Sequence, residues 1–316
     1  MAMTICVIGA GALGSGFGAL LSESGNDVVL LTRRHDQAEE LNRRGLMVTQ
    51  GLATREVRVK ATAESSDVGQ VELAIVLVKS TQTRAAILGA QAVIGNDTAV
   101  LSIQNGLGNE EIIGDIVGAD KVLGGRTYVG SIMVAPGHID LSVQGKETYI
   151  GELNGEATSR LERICEVFNR AGLATEASSN IIGMMWDKLL VNLPTGALSG
   201  ITGLPYGELY EIPEIRRCAF EVIREGMAIA DELGVVLGER DPEVIWQHAG
   251  VGLPPSFKAS MLQSLEKGEM TEIDYINGSV ARLGLSLGLP TPANDAMIAG
   301  IKGIERFHQL GRSREA

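Results

Sequence analysis

The sequence predicts an α/β fold: a doubly wound parallel sheet followed by an all-helical domain. Three observations predict it. A glycine-rich turn, Gly9-Ala-Gly11-Ala-Leu-Gly14, stands between a β-branched run and an apolar helical segment near the amino terminus. Apolar runs of strand length then alternate with helical segments up to residue 177, as in a parallel sheet covered on both faces. Beyond Ser178 the strand-like runs vanish and long segments of helical period take over.

Thr4–Ile8 is the first strand. GxGxxG alone is a weak signal, but between a strand and a helix it is the Rossmann-type dinucleotide fingerprint. Gly9 permits the tight turn, Gly11 lets the backbone approach a pyrophosphate, and Gly14 lets the helix pack on the strand. Ala10, Ala12 and Leu13 complete the turn. The helix N-terminus offers N–H groups and a positive dipole end to the anion. A tight turn with no ligand would use the same glycines. The uncharged stretch 5–21 also resembles a signal peptide or membrane span. It lacks a basic leader, is rich in glycine and is short for a span, so strand, turn and helix is the reading.

The second strand is Asp27–Leu31. A fold that prefers NAD places Asp or Glu at this strand's end to bind the ribose 2′-hydroxyl. Here the chain has Thr32-Arg33-Arg34. Two guanidiniums can clasp a 2′-phosphate in forked geometry, which predicts NADP(H). Two solvated loop arginines are the alternative. Val71–Val78 reads as a strand buried on both faces and ends at Lys79, and Thr98–Ile103 leads into Gln104-Asn105-Gly106. Helical segments lie at 82–94 and 109–118. Lys79 and Asn105 therefore stand at carboxyl ends of parallel strands, where doubly wound sheets bind ligands. A solvated strand end explains Lys79 equally well, and Asn105-Gly106 by itself is more often a turn. Short alternating runs over 122–153, around Pro136-Gly137, predict antiparallel strands added to the sheet. A helix at 158–171 and a run at 173–177 close a domain of residues 1–177.

Residues 178–316 form the second domain, with helical segments at 181–198, 213–234, 241–249, 256–267, 271–287 and 293–310. Ser178, Ser179 and Asn180 are candidate caps for the first. That helix carries Lys188 among apolar residues and Asn192 one turn later, on the same face. An ammonium is costly to desolvate, so Lys188 either snorkels to the surface or is aimed into a substrate cleft between domains. Glu272, in Thr271-Glu-Ile-Asp-Tyr, reads as a helix-start carboxylate that favours the dipole, or as a site group. Asn294 reads as a helix cap.

Composition excludes several classes. The net charge of −12 argues against nucleic acid or an anionic membrane as partner. Cys6, Cys165 and Cys218 lack metal-ligand spacing and are odd in number, which predicts free thiols in a reducing cytoplasm. The histidines form no ligand pair, so no metal is expected.

The chain resembles the ketopantoate reductase (2-dehydropantoate 2-reductase) family over nearly its whole length. The matching pieces are GAGALG, VLVKSTQT around Lys79, SIQNGLGNEE around Asn105, WDKLLVN around Lys188, and SMLQSLEKGEMTEIDYINGSVARLG from Ser260 to Gly284. The resemblance implies an NADPH-dependent reductase that delivers hydride to the ketone of a small 2-oxo acid. It implies that Lys79 and Asn105 line the nicotinamide side and that Lys188 is the catalytic acid. It implies that Asn192 and Ser260 hold substrate, with Asn105 beside them, and that Glu272 faces the reacting hydroxyl or the cofactor.

The sequence departs from the family at three substrate-holding asparagines, where Gly196, Tyr206 and Phe257 stand instead. Three readings follow: ketopantoate reductase; a paralogous reductase or D-2-hydroxyacid dehydrogenase for another 2-oxo acid; and a non-enzymatic NADP-binding regulator. Lys188 and Glu272 argue against the last, since a sensor needs no proton donor. An apolar helical domain makes a homodimer plausible.

Overall fold

The computed structural model describes residues 2–315. They fall into two compact units. One runs to Gln104 and resumes over Asn109–Ile181; the other takes Asn105–Gly108 and the chain from Ile182 onward.

The first unit holds β1 (Thr4–Ile8), α1 (Ala12–Glu23), β2 (Asp27–Leu31), α2 (His35–Arg44), β3 (Leu46–Gln50), β4 (Ala53–Val57), β5 (Lys60–Thr62) and β6 (Leu73–Val76). It continues with α3 (Thr83–Gly89), β7 (Ala99–Ser102), α4 (Asn109–Val117), β8 (Val122–Thr127), β9 (Gly130–Ala135), β10 (His138–Ser142), β11 (Thr148–Glu152), α5 (Ser159–Arg170) and β12 (Thr175–Ala177). Eight strands form one sheet in the order β12-β11-β8-β7-β6-β1-β2-β5. β1 pairs in parallel with both β2 and β6, so strand order reverses there, at the point where such sheets bind ligands. Burial on both faces explains the uninterrupted apolar runs. Ile5 and Val7 enter a core with Phe17 of α1, while Cys6 and Ile8 enter another with Ile87 and Ile113. Burial in that second core pushes the Cys6 thiol up to about 12, which suits a packing residue.

The antiparallel additions are more divided than the sequence predicts. Only β8 and β11 join the large sheet, pairing antiparallel with each other. The β9–β10 hairpin instead enters a four-stranded sheet of order β4-β3-β10-β9. Its Leu141 lies where a Cβ at Gly16 of α1 would come within 2.7 Å, so that glycine admits the second sheet. The segment at 82–94 also breaks, into short 3-10 turns at Ser80–Gln82 and Gln91–Val93 on either side of α3.

The second unit contains α6 (Ile181–Thr202), α7 (Tyr206–Tyr210), α8 (Pro213–Glu232), α9 (Pro242–His248), α10 (Ser260–Glu266), α11 (Asn277–Leu287) and α12 (Pro292–Glu315). Trp186, Leu189, Leu190 and Leu193 of α6 share a core with Ile223, Val280 and Ile301. α6 carries Pro194 inside it, which removes the donor for the Leu190 carbonyl. Neighbouring carbonyls gain side-chain donors: Thr195 bonds Val191 O at 2.8 Å, and Asn277 Nδ2 bonds Leu193 O at 3.0 Å.

Two sequence-based expectations change here. α11 starts at Asn277, so Glu272 lies in a turn ahead of the helix, where Tyr275 and Ile276 N–H groups both reach the Glu272 carbonyl at 3.0 Å. Asn294 does not cap α12. The Glu225 carboxylate accepts the Ala293 and Asn294 N–H groups at 2.7 and 2.9 Å, while Asn294 Nδ2 reaches back to Val222 O and Glu225. A longer side chain from another helix outcompetes the local cap.

Candidate active site

In the first unit the three glycines of the turn have three different reasons. Gly9 has φ +113°, and a Cβ there would sit 2.9 Å from Leu77 O. A Cβ on Gly14 would lie 1.9 Å from Gly9 O, so the turn and the first turn of α1 can close only around glycine. Gly11 differs. Its φ of −76° suits any residue, and a Cβ there would meet nothing within 4 Å. The fold leaves open space in front of Gly11, at the N-cap of α1, with no side-chain cap. Helix geometry leaves the N–H groups that follow without intrahelical acceptors. That open front fits a dinucleotide pyrophosphate approaching backbone. Ala10 is buried, and Ala12 and Leu13 pack on the core, so their side chains hold the turn while their backbone presents it.

The turn is also braced from α2. Thr32 Oγ1 donates to Gln37 Oε1 at 2.6 Å, and Gln37 Nε2 donates to Ala10 O at 2.8 Å. Sequence reading missed Gln37; its only signal was its spacing from Thr32. Arg33 and Arg34 are exposed beyond β2. Arg34 arrives with a counter-ion: its Nε donates to Asp36 Oδ1 at 2.9 Å and its Nη2 to the other oxygen. That fork holds the Asp36 carboxyl at about 2, below the usual carboxylate range. The strand end lacks a carboxylate, as the sequence indicates, but one stands two residues beyond Arg34.

Lys79 is half-buried and opens the Ser80–Gln82 turn, whose Gln82 N–H bonds Lys79 O at 2.7 Å. The two loop ends are tied by Gln104, whose Nε2 donates to Val78 O and to Thr83 Oγ1, both at 2.8 Å.

In the second unit Lys188 and Asn192 are half-buried on one face of α6. The carboxylate of the flanking Asp187 accepts Gly238 N–H at 3.0 and 3.2 Å. Further along α6, a Cβ on Gly196 would meet Met261 Cε at 3.5 Å. The residue before Met261 is Ser260, exposed at the first position of α10. Space left by the missing asparagine at 196 is therefore bounded by a methionine. The Asn105–Gly108 segment packs against the turn that carries Glu272. Leu107 N–H bonds Tyr275 O at 2.9 Å, and a Cβ on Gly106, where φ is +82°, would lie 2.3 Å from that oxygen.

Tyr206 and Phe257 meet edge to face at 5.1 Å, and Tyr206 N–H bonds Phe257 O at 2.9 Å. Tyr206 is buried and its hydroxyl bonds Thr195; burial raises its pKa. Its phenol is thus engaged within the protein. Tyr210 extends the aromatic group by stacking on Trp246 at 4.3 Å. Among the described residues, no cluster of three His, Cys, Asp or Glu side chains could hold a metal, and no helix is long and apolar enough to cross a membrane.

The chain is similar to known proteins over nearly its whole length. Residues 5–155 match the family described as ketopantoate reductase PanE/ApbA, and residues 180–305 match its C-terminal region. The 2-dehydropantoate 2-reductase of Pyrococcus horikoshii is 36% identical over 304 residues, covering 96% of this chain and 98% of its own. That of Archaeoglobus fulgidus is 32% identical, covering 95% and 97%. Among solved structures, a PanE/ApbA family ketopantoate reductase from Ralstonia eutropha superposes with a TM-score of 0.88 at 31% identity, over 97% of this chain and 100% of that one. D-mandelate dehydrogenase in complex with NADH and anilino(oxo)acetate superposes at 0.90 with 27% identity and the same coverage.

Proposed function

We propose a reaction from one premise: the chain belongs to the ketopantoate reductase family. It is an oxidoreductase acting on CH–OH, and we assign it the NADPH-dependent reduction of a 2-oxo acid to a 2-hydroxy acid. The Pyrococcus and Archaeoglobus relatives support 2-dehydropantoate, giving pantoate, as that acid. The observation that carries the cofactor half is Gly11, a glycine that neither backbone strain nor crowding requires.

Gly9, Gly11 and Gly14, with Ala10, Ala12 and Leu13, would hold the pyrophosphate on backbone N–H groups. Arg33 and Arg34 would hold the 2′-phosphate, and Lys79 and Asn105 would stand toward the nicotinamide. Bound there, reduced nicotinamide supplies a hydride to the substrate ketone. Negative charge then grows on the ketone oxygen. The Lys188 ammonium stabilises that charge and donates the proton that completes the hydroxyl. Asn192, one turn on, orients the substrate without adding charge, and Ser260 offers a hydroxyl to its polar groups. Glu272 faces the reacting hydroxyl or the cofactor. As a carboxylate it accepts a hydrogen bond from either.

A second reading of the substrate has its own support. Met261 beyond Gly196 and the Tyr206–Phe257 pair replace amides by apolar surface. A structural neighbour is named for mandelate and was solved with an aromatic oxo acid. On this reading, bulkier apolar 2-oxo acids outperform ketopantoate. Steady-state NADPH oxidation across a panel of 2-oxo acids, including ketopantoate, its 4-deoxy analogue and phenylglyoxylate, tests both. A preference for ketopantoate over its 4-deoxy analogue above roughly 10³-fold would require buried polar partners for the 4-hydroxyl and would exclude the apolar pocket. No turnover with any member would exclude both.

A further inference from the structure

The loop ends behind β6 and β7 rest on a polar network whose side chains have no role in the reaction above. Ser80, Thr83, Ser102, Gln104, Asn109 and Glu110 are all buried. Thr83 Oγ1 bonds Ser80 O at 3.0 Å and Asn109 Oδ1 at 2.9 Å, and Asn109 Nδ2 reaches Ser80 Oγ at 3.3 Å. Gln104 Nε2 joins this group to Val78 O, and its Oε1 lies 3.5 Å from Ser102 Oγ, at the limit of a hydrogen bond. Behind Ser102 stands the Glu110 carboxyl. Ser102 hydrogen-bonds it, but Oε1 has no hydrogen-bond partner.

The charges around α4 leave Glu110 to itself. On α4, Glu111 repels it, while Asp115 faces Arg84 of α3 at 3.9 Å. In the turn before β8, Lys121 turns its ammonium to the carbonyls of Gly95 and Asn96, and Asp120 acts on Arg160 of α5. On β8, Arg126 lies over the Tyr128 and Tyr149 rings, 4.9 Å from each. Burial pushes the Glu110 carboxyl up to about 7. The Ser102 hydrogen bond and its own N–H oppose that rise, and Glu111 adds to it.

We propose that Glu110 is a positioning residue whose protonated carboxyl fixes the two loop ends carrying Lys79 and Asn105, and whose ionisation loosens them. The inference rests on reading those ends as dinucleotide contacts. When the carboxyl is protonated, its O–H donates to Ser102 Oγ. The Ser102 hydroxyl then turns to Gln104 Oε1, and the Gln104 amide is held at both ends while it grips Val78 O and Thr83. When the carboxyl ionises it can only accept, so the Ser102 proton is drawn back and Gln104 Oε1 loses its donor. A buried charge with an unpartnered oxygen also favours local opening.

The test is the dissociation constant for NADPH, read by nucleotide fluorescence from pH 5.5 to 9, in the native chain and in Glu110→Gln. The ratio between the two proteins cancels titration of the 2′-phosphate itself. NADPH should weaken in the native chain, relative to the variant, by roughly three- to tenfold as pH rises through neutrality, the reach of one hydrogen bond. A ratio that does not change with pH overturns the proposal. Amide hydrogen exchange of segments 78–83 and 104–110, corrected for intrinsic rates, reads the same device without ligand. Protection lost at high pH in the native chain and retained in Glu110→Gln supports it; parallel loss in both overturns it. If neither protein binds NADPH at any pH, the cofactor reading fails, and the exchange data still decide the role of Glu110. Should Glu110→Gln not fold, Ser102→Ala keeps the carboxyl but removes the donor to its charged form. With the relay hydroxyl gone, the pH-dependent loss of protection in segments 78–83 and 104–110 must disappear, and a loss that keeps the native inflection refutes the relay.

Discussion

A methyl group added to the glycine turn has different consequences one turn of chain apart. In Gly11→Ala the new Cβ meets no protein atom within 4 Å, at a φ of −76° that alanine adopts freely. The folded chain should barely register it. Alanine is a poorer N-cap than glycine, so a loss of at most about 1 kcal/mol is expected. The ligand would register it strongly, because the methyl stands where the pyrophosphate must touch backbone. Losing one or two charge-assisted hydrogen bonds, roughly 1.5–3 kcal/mol each, weakens NADPH by about ten- to a thousandfold or more. In Gly14→Ala the Cβ would lie 1.9 Å from Gly9 O, a backbone atom that no rotamer change can move. The turn must shift, with an overpacking cost of roughly 1–3 kcal/mol or above, and the cradle shifts with it. Thermal melting and fluorescence titration of NADPH on both variants separate the two effects. Gly11→Ala should melt near the native temperature and bind poorly; Gly14→Ala should lose both. If Gly11→Ala binds NADPH within twofold of the native chain, the backbone does not meet a pyrophosphate there.

Other expected outcomes concern the remaining site residues. Because Arg34 is forked onto Asp36, Arg33→Ala should lower NADPH affinity more than Arg34→Ala, and Asp36→Asn should raise NADPH affinity; equal affinities for NADH and NADPH in the native chain would defeat the 2′-phosphate assignment. Lys188→Ala should lower kcat by roughly 10²–10⁴-fold with NADPH binding retained, the range for a lost general acid, and near-normal turnover would make it a surface lysine. Glu272→Gln should slow single-turnover hydride transfer while NADPH affinity changes little if the carboxylate meets the reacting hydroxyl; a change in affinity alone would place it on the cofactor. The Glu110 carboxyl rises from an ordinary 4.5 to about 7 on folding, so its protonated form supports the native state fully below pH 4.5 and that support is lost as pH rises to about 7. Glu110→Gln should therefore equal the native chain in stability near pH 4 and exceed it at pH 8 by roughly 2–3 kcal/mol, read by denaturant unfolding.

The sequence shows the centre of the large sheet because its strands are buried on both faces: β1, β6 and β7 read as unbroken apolar runs, and β1 and β2 appear with their observed limits, while the short edge strand β5 does not show. The second sheet is only half visible. The β9–β10 hairpin does show as alternating runs around Pro136-Gly137, but β3 and β4 are five residues each and their burial is uneven, so alternation has too few periods to announce a strand. Helix starts were lost where a backbone turn precedes the helix, as at Thr271–Ile276, whose apolar Ile273 and Ile276 continue the helical period without being helical. The glycine turn was legible because its three glycines fall at fixed spacing between a strand and a helix, with Gly14 closing directly on Gly9. The neighbours that shape the site were not: Gln37 under Ala10, Met261 beyond Gly196 and Thr195 on the Tyr206 hydroxyl are partners chosen by tertiary packing, and Asp36, though only two residues from Arg34, pairs with it only through the fold of the loop after β2. The buried carboxyl of Glu110 looks in the sequence like any first-turn glutamate of a helix, and only its burial sets it apart.

The central step of the proposed reaction is hydride passing from a nicotinamide to the C2 carbon of an oxo acid. NADPH deuterated at nicotinamide C4, on the transferring face, should yield a 2-hydroxy acid carrying one deuterium at C2, in one-to-one ratio with the NADPH oxidised, as read by mass spectrometry of the product. Oxidation of NADPH without deuterium at C2, or no product from ketopantoate or any bulkier 2-oxo acid, would contradict it.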